Sequence, residues 1–197
     1  FTEEELRCWD KGMWYSRKFT LPHTLKDERL VLRFGSATYR ADVYLNGNHI
    51  GNHESGYAPF EFDITDEVNF DEENLLCVRL DHVLDAETVP MGNLKNEAEP
   101  GQHAGQYPDM PYDFFPYSGL HRPVHIYSTH KQAWLDSLHI VPHISGTSGV
   151  VHISGRIKGK ATKVTLRVLE SDSQAQAALK EGEFDASLTI EKVKLWD

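Results

Sequence analysis

The sequence is dominated by short runs in which apolar and polar residues alternate, each closed by Gly, Pro, Asn or Asp. GMWYSRKFTLP, RLVLRFGSAT, ADVYLNG, NHIGNH, APFEFDIT, NLLCVRLDHV, RPVHIYST, DSLHIVPHI, VVHISGRI, KVTLRVLE and SLTIEKVKLW all follow this pattern and are rich in β-branched and aromatic side chains. A period of two places one face of a strand in a core and the other in water, and no helical stripe interrupts the series. Many short strands without crossover helices predict an all-β chain of packed sandwiches.

One turn is specified residue by residue. Asn46-Gly47 stands between Tyr44-Leu45 and Asn48-His49-Ile50, and Asn-Gly supplies the two positive φ angles of a type I′ hairpin. The window Ser173 to Glu181, SQAQAALKE, is the one place where propensity favours helix, although its apolar spacing is poor.

Two stretches set the organisation. Residues 85–112 carry four prolines, three glycines and no sustained period. A loop this much longer than the ~12–15 residues usual in a compact domain reads as a binding loop over one end of the first domain. Near residues 128–134, STHKQAW, a polar link separates an aromatic-rich first part from a plainer second part. Domains over 1–128 and 129–197 are expected, the second short for an immunoglobulin-like sandwich of about 100 residues.

Charge narrows the partners. Thirty acidic against twenty basic residues give a net charge of −10, which repels a phosphate backbone, so no nucleic acid is expected. No apolar run is long enough to span a bilayer, so no membrane partner is expected. FTEEELRCWD shows no basic, apolar leader. Cys8 and Cys77 lie in no zinc or redox spacing, and two free thiols are expected.

The strong catalytic signatures are missing, including GxSxG, HExxH, the P-loop and GxGxxG. His121 with His125 and His139 with His143 are spaced by four, which on a strand is ~13 Å and too far to share an ion. No metal and no cofactor are expected. Glu54, Glu61, Asp63, Glu87, Asp109 and Asp113 supply acids for a glycosidase pair, but the ~5–9.5 Å separation such a pair needs is not readable from spacing. Asp113 stands apart, because YDFFPYSGLHRPVHIY surrounds it with rings. Ring faces for sugar C–H surfaces and a carboxylate for hydroxyls suit a carbohydrate site, and an Asp capping a turn beside core aromatics accounts for the same residues.

The order GMWYSRKFTLP, LVLRFGSATYRADVYLNGNHIGNHESGYAPFEFDIT, NLLCVRLDH, YDFFPYSGLHRPVHIY resembles the amino-terminal half of glycoside hydrolase family 2. Its β-glucuronidase branch is the most similar and its β-galactosidases next. The resemblance implies a jelly-roll sugar-binding sandwich over 1–128, then an immunoglobulin-like sandwich over 129–197 that lacks closing strands, with strand and turn near 170–182 in place of helix. It implies that the catalytic TIM barrel with both glutamates lies outside this sequence. The intact protein is then a retaining exo-β-glycosidase acting on a β-glycoside and assembling as a homo-oligomer. In the family's DFFxYxGxxR segment, matched by Asp113, Phe114, Phe115, Tyr117, Gly119 and Arg122, the leading acid contacts the terminal sugar. Asp113 is therefore expected to bind substrate without being catalytic. A free-standing carbohydrate-binding module and a purely structural domain for oligomer contacts remain as alternatives.

Overall fold

The structure, a computed structural model, describes residues 12–89, 118–169, 171 and 173–194. Asp113, Asp109 and Cys8 lie outside these residues. By its contacts the chain divides into two compact units, one ending at Thr129 and the other beginning at His130. Among the described residues it is all-β apart from one 3-10 turn at His23–Leu25, and no helix is long and apolar enough to cross a membrane.

The first unit holds β1 (Met13–Thr20), β2 (Glu28–Phe34), β3 (Arg40–Leu45), β4 (Asn48–Glu54), β5 (Phe60–Asp63), β6 (Glu73–Asp81) and β7 (Val124–His130). They form a four-stranded sheet ordered β1-β6-β3-β4 and a three-stranded sheet ordered β5-β2-β7. Alternation decides what lies between the sheets. Ala41, Val43 and Leu45 of β3 and Leu76, Val78 and Leu80 of β6 point inward against Leu30, Leu32 and Phe34 of β2, and all are buried. Phe34 stacks on Phe60 at 4.7 Å, and Phe60 stacks in turn on the His53 ring at 4.0 Å. Burying side chains of this size stabilises by about 1.5–3 kcal/mol each, which is why the alternating pattern fixes strand register.

The expected hairpin is present. Asn46 and Gly47 have φ of 52° and 88°, joining β3 to β4 with Leu45 opposite Asn48. Asn46 also braces the neighbouring turn. Its side chain donates to the Asn74 Oδ1 at 2.8 Å and to the Glu67 carbonyl at 2.9 Å, and accepts from the Leu75 N–H at 3.0 Å. Asn74 is fully buried and fully bonded, also accepting from the Asn69 N–H at 2.8 Å and donating to the Asn69 carbonyl at 2.8 Å.

The second unit pairs β8 (Ala133–Ser145), β9 (Ser148–Gly159) and β12 (Glu183–Ile190) in the order β12-β9-β8, with a ribbon of β10 (Lys163–Arg167) and β11 (Gln174–Ala178). Its core is small: Ile153, Phe184 and Leu188, with Val164, Leu166, Ala175 and Ala177 against them. The helix favoured by composition at 173–181 is strand β11, as the family resemblance implies. Alternating Ala175 and Ala177 turn into the core while Gln174 and Gln176 face out, and backbone pairing with β10 overrides the weak helical preference. The last strand begins at Glu183, four residues ahead of the run SLTIEKVKLW that sequence alternation marks, because Phe184 is drawn into the core. On β8, Leu138, Ile140 and Ile144 share the inner face with Ile153 and Val151, yet remain 44, 57 and 62% exposed.

Candidate functional site

Most of the loop expected from sequence, residues 90–117, lies outside the described residues; the segments that flank it, residues 83–89 and 118–123, both bond to residues 35–40, GSATYR, at one rim of the first unit. On the outgoing side the Arg40 guanidinium donates to Asp85 at 2.9 Å, pairs with Glu54 at 3.1 Å and reaches the Val83 carbonyl at 3.3 Å. Asp85 accepts the Glu87 N–H at 2.9 Å, and Thr88 closes the turn through its hydroxyl. The Glu87 N–H, and then Arg40 and the Thr88 N–H, hold the Asp85 carboxyl below the usual carboxylate range against the opposing pull of partial burial. Tyr39 Oη accepts the Val89 N–H at 2.9 Å, so the segment remains fastened to the rim up to the last described residue on this side.

On the returning side the backbones of Thr38 and Gly119 exchange two hydrogen bonds of 3.1 and 3.3 Å, and Gly35 donates to the Pro123 carbonyl at 3.0 Å. Both glycines are required by geometry. Gly119 has φ of 88°, and a Cβ there would lie 2.5 Å from the Tyr15 hydroxyl; a Cβ on Gly35 would lie 2.7 Å from that of Arg122. Between them His121 is clasped by two hydroxyls, Ser36 Oγ at 2.9 Å from Nε2 and Thr38 Oγ1 at 3.4 Å from Nδ1, with the Tyr57 ring edge-on at 5.6 Å. Burial lowers the His121 pKa, opposed by a Gly119 backbone bond and aided by the Arg122 charge, which favours the neutral ring. Arg122 donates to the Tyr57 carbonyl at 3.2 Å, and Thr38 Oγ1 donates to the Gly56 carbonyl at 2.9 Å. Residues 119–123 are thus held against residues 35–38 and 56–57 by backbone and side-chain bonds.

The described acids named from sequence are each taken up by a base or face solvent. Glu61 pairs with Arg33 and accepts from Tyr127 Oη at 2.9 Å, Asp63 pairs with Arg29 at 2.7 Å, Glu54 pairs with Arg40, and Glu87 is exposed. Burial pushes the Asp63 carboxyl up, but bonds from Thr65 and Arg29 outweigh it and leave it low, the reverse of what a general acid needs. Among the described residues no group of three His, Cys, Asp or Glu side chains could hold a metal ion. His121 is spent on Ser36 and Thr38, whereas His139 and His143 lie exposed on β8. Sequence reasoning missed the Ser36–His121 and Arg40–Asp85 pairs. The members of each are 85 and 45 residues apart, and no local pattern marks them.

An all-β chain of this topology has counterparts among known proteins. The chain belongs to glycosyl hydrolase family 2, whose sugar binding domain matches residues 1–130. Within the family it is similar to the amino-terminal part of β-glucuronidases. It is 33% identical to that of Paenibacillus borealis over 93% of this chain and 30% of the relative, and 31% identical to that of Rattus norvegicus over 98% and 31%. The structure of Bifidobacterium dentium β-glucuronidase complexed with coumarin-3-O-glucuronide superposes with a TM-score of 0.84 at 27% identity, covering 100% of this chain and 36% of that one. A β-glucuronidase from an uncultured Clostridium gives 0.79 at 34% identity, covering 100% and 32%. The chain spans about 30% of the length of the curated relatives it matches.

Proposed function

We propose that the intact protein is a retaining exo-β-glycosidase that hydrolyses terminal β-glucuronides, and that this chain supplies scaffold and one wall of its sugar pocket. The observation that carries the reading is the end-to-end likeness to β-glucuronidases, over 93–98% of the chain in the relatives named above. In this reading residues 1–128 are the jelly-roll sugar-binding domain and 129–197 an immunoglobulin-like sandwich completed by further strands. The open apolar inner face of β8 supports that completion. The acid and nucleophile then come from a TIM barrel outside this sequence, in the double displacement of retaining enzymes.

Asp113 takes the substrate-binding role, its carboxylate accepting hydroxyl hydrogen bonds of the terminal sugar. The socket around His121 supports this by holding the returning loop end in one place, and fixed alignment is how a non-reacting residue contributes to rate. Homo-oligomerisation belongs to the same reading, and soluble oligomers are mostly closed, symmetric homo-oligomers.

Two measurements test it. The 197-residue chain alone is expected to leave an aryl β-glucuronide intact, and turnover by it would refute the division of labour. In the intact enzyme Asp113→Asn should lower kcat/KM by about 10- to 100-fold, the equivalent of the ~1.5–3 kcal/mol of a hydrogen bond to a charged group. Unchanged kinetics in a folded variant would return Asp113 to a turn-capping role.

A further inference from the structure

The outer face of the four-stranded sheet carries aromatic rings where an ordinary solvent face carries small polar residues. Strand alternation places Trp14 of β1, Tyr44 of β3 and His49 of β4 on that face, because Met13 and Tyr15 pair with the inward Leu80 and Val78, and Val43 and Leu45 point to the core. The three rings form a continuous run of contacts across the sheet, with centroids 5.8 Å apart from Trp14 to Tyr44 and 5.0 Å from Tyr44 to His49. Trp14 remains 62% exposed. An indole this exposed leaves apolar ring surface on which a ligand can stack.

Polar groups run alongside the rings. Arg79 and Asp42 pair at 3.0 Å, Asp42 also lies 3.7 Å from His49 Nε2, and Asn52 stands opposite Asp42 on β4. Arg79 and Asp42 are 44 and 30% exposed, so both keep hydrogen-bonding capacity toward solvent. A run of rings edged by donors and acceptors matches a chain of pyranoses, whose C–H faces stack on rings while equatorial hydroxyls bond at the side. Each centroid step is comparable to the length of one sugar ring. Interplanar angles of 35° and 53° make a twisted strip, suited to a single soluble chain and unsuited to a flat crystalline surface. The neighbouring polar ladder contains Asp42, Glu54, Asp81 and Asp85 against Arg40 and Arg79, an acidic balance that disfavours a polyanionic sugar.

We propose that this outer face, built on Trp14, Tyr44 and His49 with Asp42 and Arg79 at its edge, binds a neutral β-linked oligosaccharide. The site takes internal sugars of a chain, so it goes beyond the recognition of a terminal sugar proposed above, and it stands or falls independently of Asp113.

The test is isothermal titration of the 197-residue chain with cellohexaose and xylohexaose, and with a hyaluronan octasaccharide as the acidic comparison. Saturable binding of at least one neutral hexaose is expected, weakened at least about tenfold in Trp14→Ala and also in Asp42→Asn, the two variants keeping the circular dichroism of the parent. Three outcomes overturn the proposal: no binding of either neutral hexaose, binding unaltered by Trp14→Ala, or binding of the hyaluronan octasaccharide alone. Sedimentation of the same samples adds a fourth. A dimer that dissociates in Trp14→Ala, without glycan binding, identifies the strip as a self-association surface and refutes a glycan site.

Discussion

Replacing His121 by Leu keeps most of its bulk and deletes both ring nitrogens, so it isolates what the histidine does in the socket. Ser36 is fully buried, and its hydroxyl is bonded to His121 Nε2 at 2.9 Å. Without that partner a buried hydroxyl is left unsatisfied, at about 1–3 kcal/mol. Loss of the Tyr57 edge contact adds ~0.5–1.5 kcal/mol. Thr38 adds little, since its hydroxyl still donates to Gly56 at 2.9 Å. The variant should therefore unfold in urea with stability lower by about 2–4 kcal/mol and an unchanged slope. Ser36→Ala in the same chain removes the orphaned hydroxyl, so the double variant should be more stable than His121→Leu alone by about 1–2 kcal/mol. Hydrogen exchange locates the effect. The amides of Gly35, Thr38 and Gly119, which bond across the socket, should exchange faster, and that of Asn46 at the other end of β3 should not change. A double variant no more stable than His121→Leu would refute the clasp as the source of the stability. Equal acceleration at Asn46 would refute its local action.

Two further outcomes are expected. Asn74→Ala strips four hydrogen bonds from a fully buried site, to Asn46, to the N–H and carbonyl of Asn69 and to the Glu72 carbonyl, and should destabilise the chain by about 2–4 kcal/mol in chemical denaturation, whereas Asn48→Ala at the exposed hairpin should change little. Acid should also weaken the fold before any carboxylate titrates. Burial lowers the pKa of His53 from its ordinary 6.5, so the unfolded chain takes up the proton first. The stability from the neutral ring is complete above 6.5 and declines as pH falls through that value toward the lower folded pKa; His121 acts in the same direction. Unfolding free energies between about pH 7.5 and 5.5 should fall with pH, and His53→Phe, which keeps the stacking on Phe60, should flatten the slope; a slope of opposite sign refutes the assignment.

Much of the architecture is written locally. Asn46-Gly47 encodes its own turn through backbone preference, and alternation in β2, β3 and β6 names the buried residues because the side-chain period of a strand is two. Composition and the resemblance identified the class and put Asp113 forward. Strand β11 was legible only through the resemblance, since alanine and glutamine carry little strand preference and a neighbouring strand supplied the pairing.

Hydrophobic period and turn chemistry act between near neighbours, and they suffice to fix the all-β class and the residues of the first core. That residues 35–40 bond to both residues 83–89 and residues 118–123, that Ser36 meets His121 and Arg40 meets Asp85, and that Trp14, Tyr44 and His49 come together from three different strands depends instead on the tertiary fold. Those pairings join residues far apart in the chain, and the order in which strands lie side by side, β1-β6-β3-β4, is a property of the packed sheet that no local pattern carries.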